Sequence, residues 1–240
     1  MKLSEVFEQL SAGELSQLSI GGAETGAIDP SNYNKVLLHI NLALSALYTR
    51  FLLKEGTLVL ALQPGQYSYS LSSKYAESNL ESFVPVKYIK DSTTPFKDDL
   101  LKVHRVIDAT GQDWALNDEG NLLACRTPST HTLVVPEDLL ALGGDLRIVY
   151  RASHPKVTLD PQYLVQDMEE AEIELPYSHL QALLYFVASR FHNPIGMSNE
   201  FHAGNSYAAK YEAECARLEQ INLQTDKGGQ YNRLYANGWV

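Results

Sequence analysis

The chain is 240 residues long, with 29 acidic against 19 basic side chains and a net charge of −10. That acidic balance argues against broad, sequence-independent DNA binding, which needs Lys and Arg to displace counterions. With 45% apolar residues it is not a disordered chain, and no run approaches the roughly 18 apolar residues of a membrane span.

The first 18 residues predict a short helix with Leu3, Val6, Phe7 and Leu10 on one face. Its polar, amphipathic start lacks the order of a secretory signal, so none is expected. A glycine-rich loop follows. Asp29-Pro30 then has the form of a helix start, an acidic cap followed by Pro in the first turn. Val36, Leu37, Ile40, Leu44, Leu47, Tyr48 and Phe51 recur at mostly three- and four-residue steps, and Gly56 stands where a helix should stop. The spacing predicts a helix over 31–55.

The middle changes period. LVLAL at 58–62 is a short apolar run ended by Gln63-Pro64-Gly65, and YSYSLS at 67–72 alternates as a half-buried strand does. VPVKYIK, LLKVHRVID and DWALNDEGNLL are further expected strands, and HTLVVP and LRIVYRA close the sheet. In the last, Leu146, Ile148, Tyr150 and Ala152 face one way and Arg147 and Arg151 the other. A short helix over 136–142 ends at Gly143-Gly144.

Pro176 opens another helix, whose stripe is Leu180, Leu183, Leu184, Val187, Ala188 and Phe191. Asn193-Pro194 and Gly196 stop it. Ser198 can cap a second helix with Ala208, Tyr211, Cys215 and Leu218 as its seam, and the short linker favours an antiparallel pair. After Leu223 there is no periodicity. The expected fold is α+β: a helical bundle with a C-terminal antiparallel helix pair, a β-rich middle insertion and an extended tail. Its parts are 1–57 and 146–222 for the core, 58–145 for the insertion and 223–240 for the tail.

Motifs for chemistry are sparse. None of the seven histidines forms an HExxH pair, and His192 and His202, which flank the helix-pair turn, lack an evident third ligand. Cys125 stands beside Arg126, a neighbour that lowers a thiol pKa, but no base can be assigned to it. Cys215 lies on a helix seam and reads as core. Two cysteines are too few for a disulfide framework or a cysteine-rich zinc site, and a reducing compartment is expected. The glycine pairs fit no phosphate-binding loop. The acidic run Asp167, Glu169, Glu170, Glu172 and Glu174 lacks the order of a calcium loop and reads as a solvated face. No metal, cofactor or catalytic residue is expected. The tail carries Tyr231, Leu234, Tyr235, Trp239 and Val240 with no periodic face of its own, so it is either disordered or ordered by packing on the protein's own body or on a partner, with Trp239 the expected anchor for a partner.

LRIVYRASHPKVT at 146–158, ELPYSHLQALLYFVASR at 174–190 and SNEFHAGNSYAAKYEAECARLEQ at 198–220 together resemble the head–tail adaptor (connector) proteins of tailed bacteriophages. The resemblance spans about a third of the chain. It implies a homo-oligomeric ring, typically of twelve copies, bound below the portal protein in the neck of the virion. Such a ring extends the channel for double-stranded DNA without binding it specifically, and docks tail or nozzle proteins. It also implies that the aromatic tail extends towards the portal. Acidic side chains of 167–174 facing the lumen would repel phosphates. Alternatives are another neck or tail component of the virion, and a small-molecule enzyme using Cys125 or the acidic run.

Overall fold

The structure, a computed structural model, describes residues 1–18, 20, 26–160, 164–192 and 198–221. Among them are six helices: α1 (Leu3–Ala12), α2 (Tyr33–Arg50), α3 (Glu137–Leu142), α4 (Leu164–Glu170), α5 (Leu180–Phe191) and α6 (Ser198–Gln220). There are eight strands: β1 (Glu55–Ala61), β2 (Ser68–Ser70), β3 (Ile89–Lys90), β4 (Leu100–Ile107), β5 (Asp113–Trp114), β6 (Arg126–Ser129), β7 (Thr132–Val134) and β8 (Asp145–Ala152). The chain divides into two compact units, Met1–Leu52 with His154–Val240, and Leu53–Ser153.

This architecture corrects the expected helical bundle. The fold is mixed α/β, with a large share of the chain in two antiparallel sheets and no dominant bundle. The cause lies in the strands. Leu146, Ile148, Tyr150 and Ala152 are all buried along β8, which pairs with β1 on one side and β4 on the other. A strand paired on both sides and buried along one face belongs to a sheet with its own core, so β8 joins the sheet unit rather than the helical core.

In the helical unit, Asp29 accepts the Ser31 N–H (2.9 Å), and Pro30 opens a single 3-10 turn leading into α2. Val36, Leu37, Ile40, Ala43, Leu44, Leu47 and Tyr48 form the buried face of α2. The helix ends at Arg50, short of the 55 expected. Phe51 is extended and fully buried, its ring edge-on to His179 at 4.8 Å. Gly56, read as a helix stop, instead lies within β1.

Ala182, Leu183, Leu184, Val187 and Ala188 are the buried positions of α5. Phe186 meets Tyr211 at 5.2 Å and His192 stacks on Tyr207 at 5.0 Å, so α6 runs back along α5. The seam of α6 is Gly204, Tyr211, Cys215 and Leu218; Ala208, assigned to it by spacing, is exposed. Gly204 occupies the seam because α5 ends against it. A Cβ at Gly204 would stand 2.1 Å from the His192 carbonyl oxygen.

In the sheet unit the strand orders are β3-β1-β8-β4-β5 and β2-β7-β6. β1 pairs with β8 from Glu55↔Arg151 to Ala61↔Asp145. Both sheets feed one core, which includes Leu60, Tyr69, Leu71, Ile89, Val106, Leu133, Leu146 and Ile148. Gly56 faces Tyr150 across the β1–β8 ladder, and the Tyr150 ring fills the space a side chain would take. β6 carries no strand signal in the sequence, because it contains Pro128. Pro belongs at a sheet edge, and β6 is an outer strand.

The β4–β5 hairpin is fixed by Asp108. Its carboxylate accepts the Thr110 hydroxyl (2.6 Å), the Trp114 indole N–H (3.0 Å) and the N–H groups of Thr110 (2.8 Å) and Gln112 (3.0 Å). The Thr110 hydroxyl first, then the Trp114 indole, hold its pKa down at about 2. A carboxyl held below its ordinary value contributes stability above that value, and the contribution is lost as pH falls towards 2. The difference in urea midpoint between wild type and Asp108→Asn should therefore be largest at pH 5 and above and shrink steadily to pH 2, with Trp114 fluorescence as the probe. A difference independent of pH would refute this role for the carboxylate.

Candidate interaction surfaces

The acidic run lies in the helical unit and faces outward. Glu169, Glu170, Glu172 and Glu174 are exposed, while Met168, Ile173 and Leu175 between them are buried. Asp167 is half-buried and its carboxylate accepts the Asp160 N–H at 2.7 Å. The segment after α4 is tied to the start of the chain. The Leu3 N–H donates to the Ala171 carbonyl (2.9 Å), and Met1 and Ile173 exchange backbone hydrogen bonds. These bonds set Glu5 and Glu8 of α1, both exposed, on elements adjoining the run. Tyr177 donates to Glu5 at 2.9 Å. At Glu174 the backbone is engaged on both sides: its N–H donates to His154 Nε2 (3.1 Å) and its carbonyl accepts the Tyr48 hydroxyl. The helical unit has 16 acidic and 9 basic side chains, net −7, against 13 and 10, net −3, in the sheet unit. The negative charge is thus concentrated in the helical unit.

Between α1 and α4 lies a groove of about 480 Å³. Phe7, Tyr33 and Met168 supply its apolar surface, and Ser4, Glu8 and Ser11 its polar part. Phe7 and Tyr33 meet edge to face at 5.1 Å.

In the sheet unit a loop between β2 and β3 carries Leu80, 87% exposed, and Phe83, 98% exposed. VPVKYIK at 84–90, which follows them, is expected as a strand. Only Ile89–Lys90 pairs, and Pro85 interrupts the rest. The loop is nonetheless well held. At its base the buried Asp91 accepts the N–H groups of Ser78 and Phe96, each at 2.9 Å. Near its tip Ser82 donates to the Lys74 carbonyl (2.6 Å) and Lys87 to the Asn79 carbonyl. Tyr88 then covers the free edge of β2. Its hydroxyl takes the Ser70 N–H (2.9 Å) and donates to the Ser70 carbonyl (3.0 Å), which blocks strand addition there.

Cys125 is fully buried, and burial pushes its thiol up to about 12; a thiol so placed is no nucleophile at neutral pH. Arg126 is exposed and does not offset this. Cys215 is buried too, and burial raises it. Burial lowers His39 and His179, the latter set against Phe51. His192 approaches the Glu14 carbonyl (3.2 Å); the side chain of His202 lies outside the described residues. Among the described residues no three His, Cys, Asp or Glu side chains form a metal-binding group, and no helix is long and apolar enough to cross a membrane. Tyr231, Leu234, Tyr235, Trp239 and Val240, expected to contact the portal, lie outside the described residues. No family model and no curated protein matches the chain.

Proposed function

We propose that the chain is a non-enzymatic structural protein of a phage virion, a head–tail adaptor. Copies of it form a ring below the portal protein, continue the DNA channel and dock the tail. The observation that carries this reading is the set of exposed carboxylates Glu169, Glu170, Glu172 and Glu174, mounted on buried Met168 and Ile173, with Glu5 on the adjoining helix and exposed Lys2, in a backbone bridge with Glu172, among them. A surface of that charge keeps phosphates at a distance, as a conduit for moving DNA must. The resemblance at 146–220 supports the same reading, as do buried thiols unsuited to catalysis. The copy number of twelve, the place in the virion neck and the portal contact of the aromatic tail follow from the resemblance.

The test is native mass spectrometry of the full chain with and without portal protein. A closed ring in either condition is expected; a monomer in both would overturn the proposal. Charge reversal tests the acidic face. Glu169→Lys, Glu170→Lys and Glu172→Lys together should turn a chain that does not retain duplex DNA at 100 mM salt into one that does. The acquired binding should weaken with salt, at up to about 0.9 log units per log unit of salt for each phosphate engaged. Retention of DNA by the wild-type chain under the same conditions would contradict the proposed lining.

A further inference from the structure

Leu80 and Phe83 are held in water by a loop whose base and tip are both hydrogen-bonded, so they are presented rather than left over. A preformed apolar tip binds without first being ordered. Two copies of a chain with net charge −10 repel each other over most of their surface. The stretch 74–87 is an exception: it carries Lys74 and Lys87 against Glu77 and Glu81 and is neutral. Exposed Lys74 lines the same recess as Phe83. The groove between α1 and α4 offers the complement, half-buried Tyr33 over a floor of buried Phe7 and Met168, beside the exposed carboxylate of Glu8.

We propose that Leu80 and Phe83 of one copy seat in the Phe7–Tyr33–Met168 groove of a second copy, with Lys74 against Glu8. Knob and groove belong to different units of the chain and share no residue. The contact is therefore heterologous, the kind that closes into rings or runs on as filaments. It rests on the proposed ring assembly and names one of its interfaces.

The experiment is native mass spectrometry of the full chain over a range of concentrations, with and without portal protein, on four variants and the wild type. Leu80→Ser with Phe83→Ser should weaken self-association by about tenfold or more. Its thermal unfolding should match the wild type at concentrations where both are monomeric, because both residues are exposed in the single chain. Lys74→Glu and Glu8→Lys should each weaken assembly, and the two together should restore it. A wild-type monomer in every condition overturns both this contact and the ring. Rings formed equally well by wild type and the Leu80/Phe83 variant overturn the contact and leave the ring standing. Failure of the Lys74/Glu8 exchange to restore assembly overturns the groove as the seat. Loss of portal retention with self-association intact assigns the knob to portal and overturns the second copy as its occupant.

Discussion

Gly56→Ala should lower the stability of the sheet unit by about 1–3 kcal/mol, the usual cost of forcing an extra group into a packed site. A Cβ at this position would lie 2.2 Å from Cζ of Tyr150. The ring has little freedom to withdraw. It is 5% exposed, its hydroxyl donates to Asp99 at 2.9 Å, and it meets Phe96 edge-on at 6.0 Å. Ala is also the better-behaved residue in an unfolded chain and normally gains from that, so a loss here isolates the collision. The check is a double-mutant cycle in urea. Tyr150→Leu alone should destabilise, but Gly56→Ala added to it should cost far less than in the wild type. Additive losses would show that Gly56 matters for some other reason.

Gly204→Ala is the second large effect, and its sign runs against expectation for a helix. Inside α6, exchange of Gly for Ala ordinarily gains about 1 kcal/mol. Here the added Cβ would stand 2.1 Å from the His192 carbonyl oxygen and 3.5 Å from that of Ser189. Both are backbone atoms at the end of α5, so relief requires α6 to move off α5. The substitution should therefore destabilise by about 1–3 kcal/mol net of the helical gain. It should also loosen the Phe186–Tyr211 and His192–Tyr207 contacts, visible as changed near-UV tyrosine signals. A variant with a raised unfolding midpoint would mean that the two helices do not approach as described.

These two glycines also show where sequence reasoning stops. Gly56 has the position of a helix terminator because local spacing runs into it, and local spacing contains no trace of Tyr150, nearly a hundred positions away. Ala208 fitted a three- and four-residue seam, yet the seam position above Tyr211 belongs to Gly204, chosen by the neighbouring helix end. What was legible was periodic or capped. The start of α2 is set by Asp29-Pro30, and the alternation of β8 marks the buried Leu146, Ile148, Tyr150 and Ala152, although Arg151 on the other side is buried as well. That same alternation says nothing about partners, so the rank of β8 inside a five-stranded sheet was hidden, and with it the weight of sheet in the fold. Of the candidate surface, the acidic run was legible as charge, whereas its apposition to Glu5 and Glu8 depends on backbone bonds between distant segments. Leu80 and Phe83 belong to no periodic pattern, and apolar residues in a sequence do not record exposure.

The pairing of β1 with β8 has a consequence for the history of the chain. The sheet unit begins and ends on partner strands, Glu55 opposite Arg151, with the Ala152 N–H donating to the Lys54 carbonyl at 3.0 Å. Its entry and exit points therefore stand side by side, like the two ends of a closed clasp. A module built this way can be gained, lost or exchanged between ancestors by a single splice, since the host chain meets only a short gap where the module was. Adaptation of the sheet unit to a new neighbour would then leave the helical unit free to keep its own.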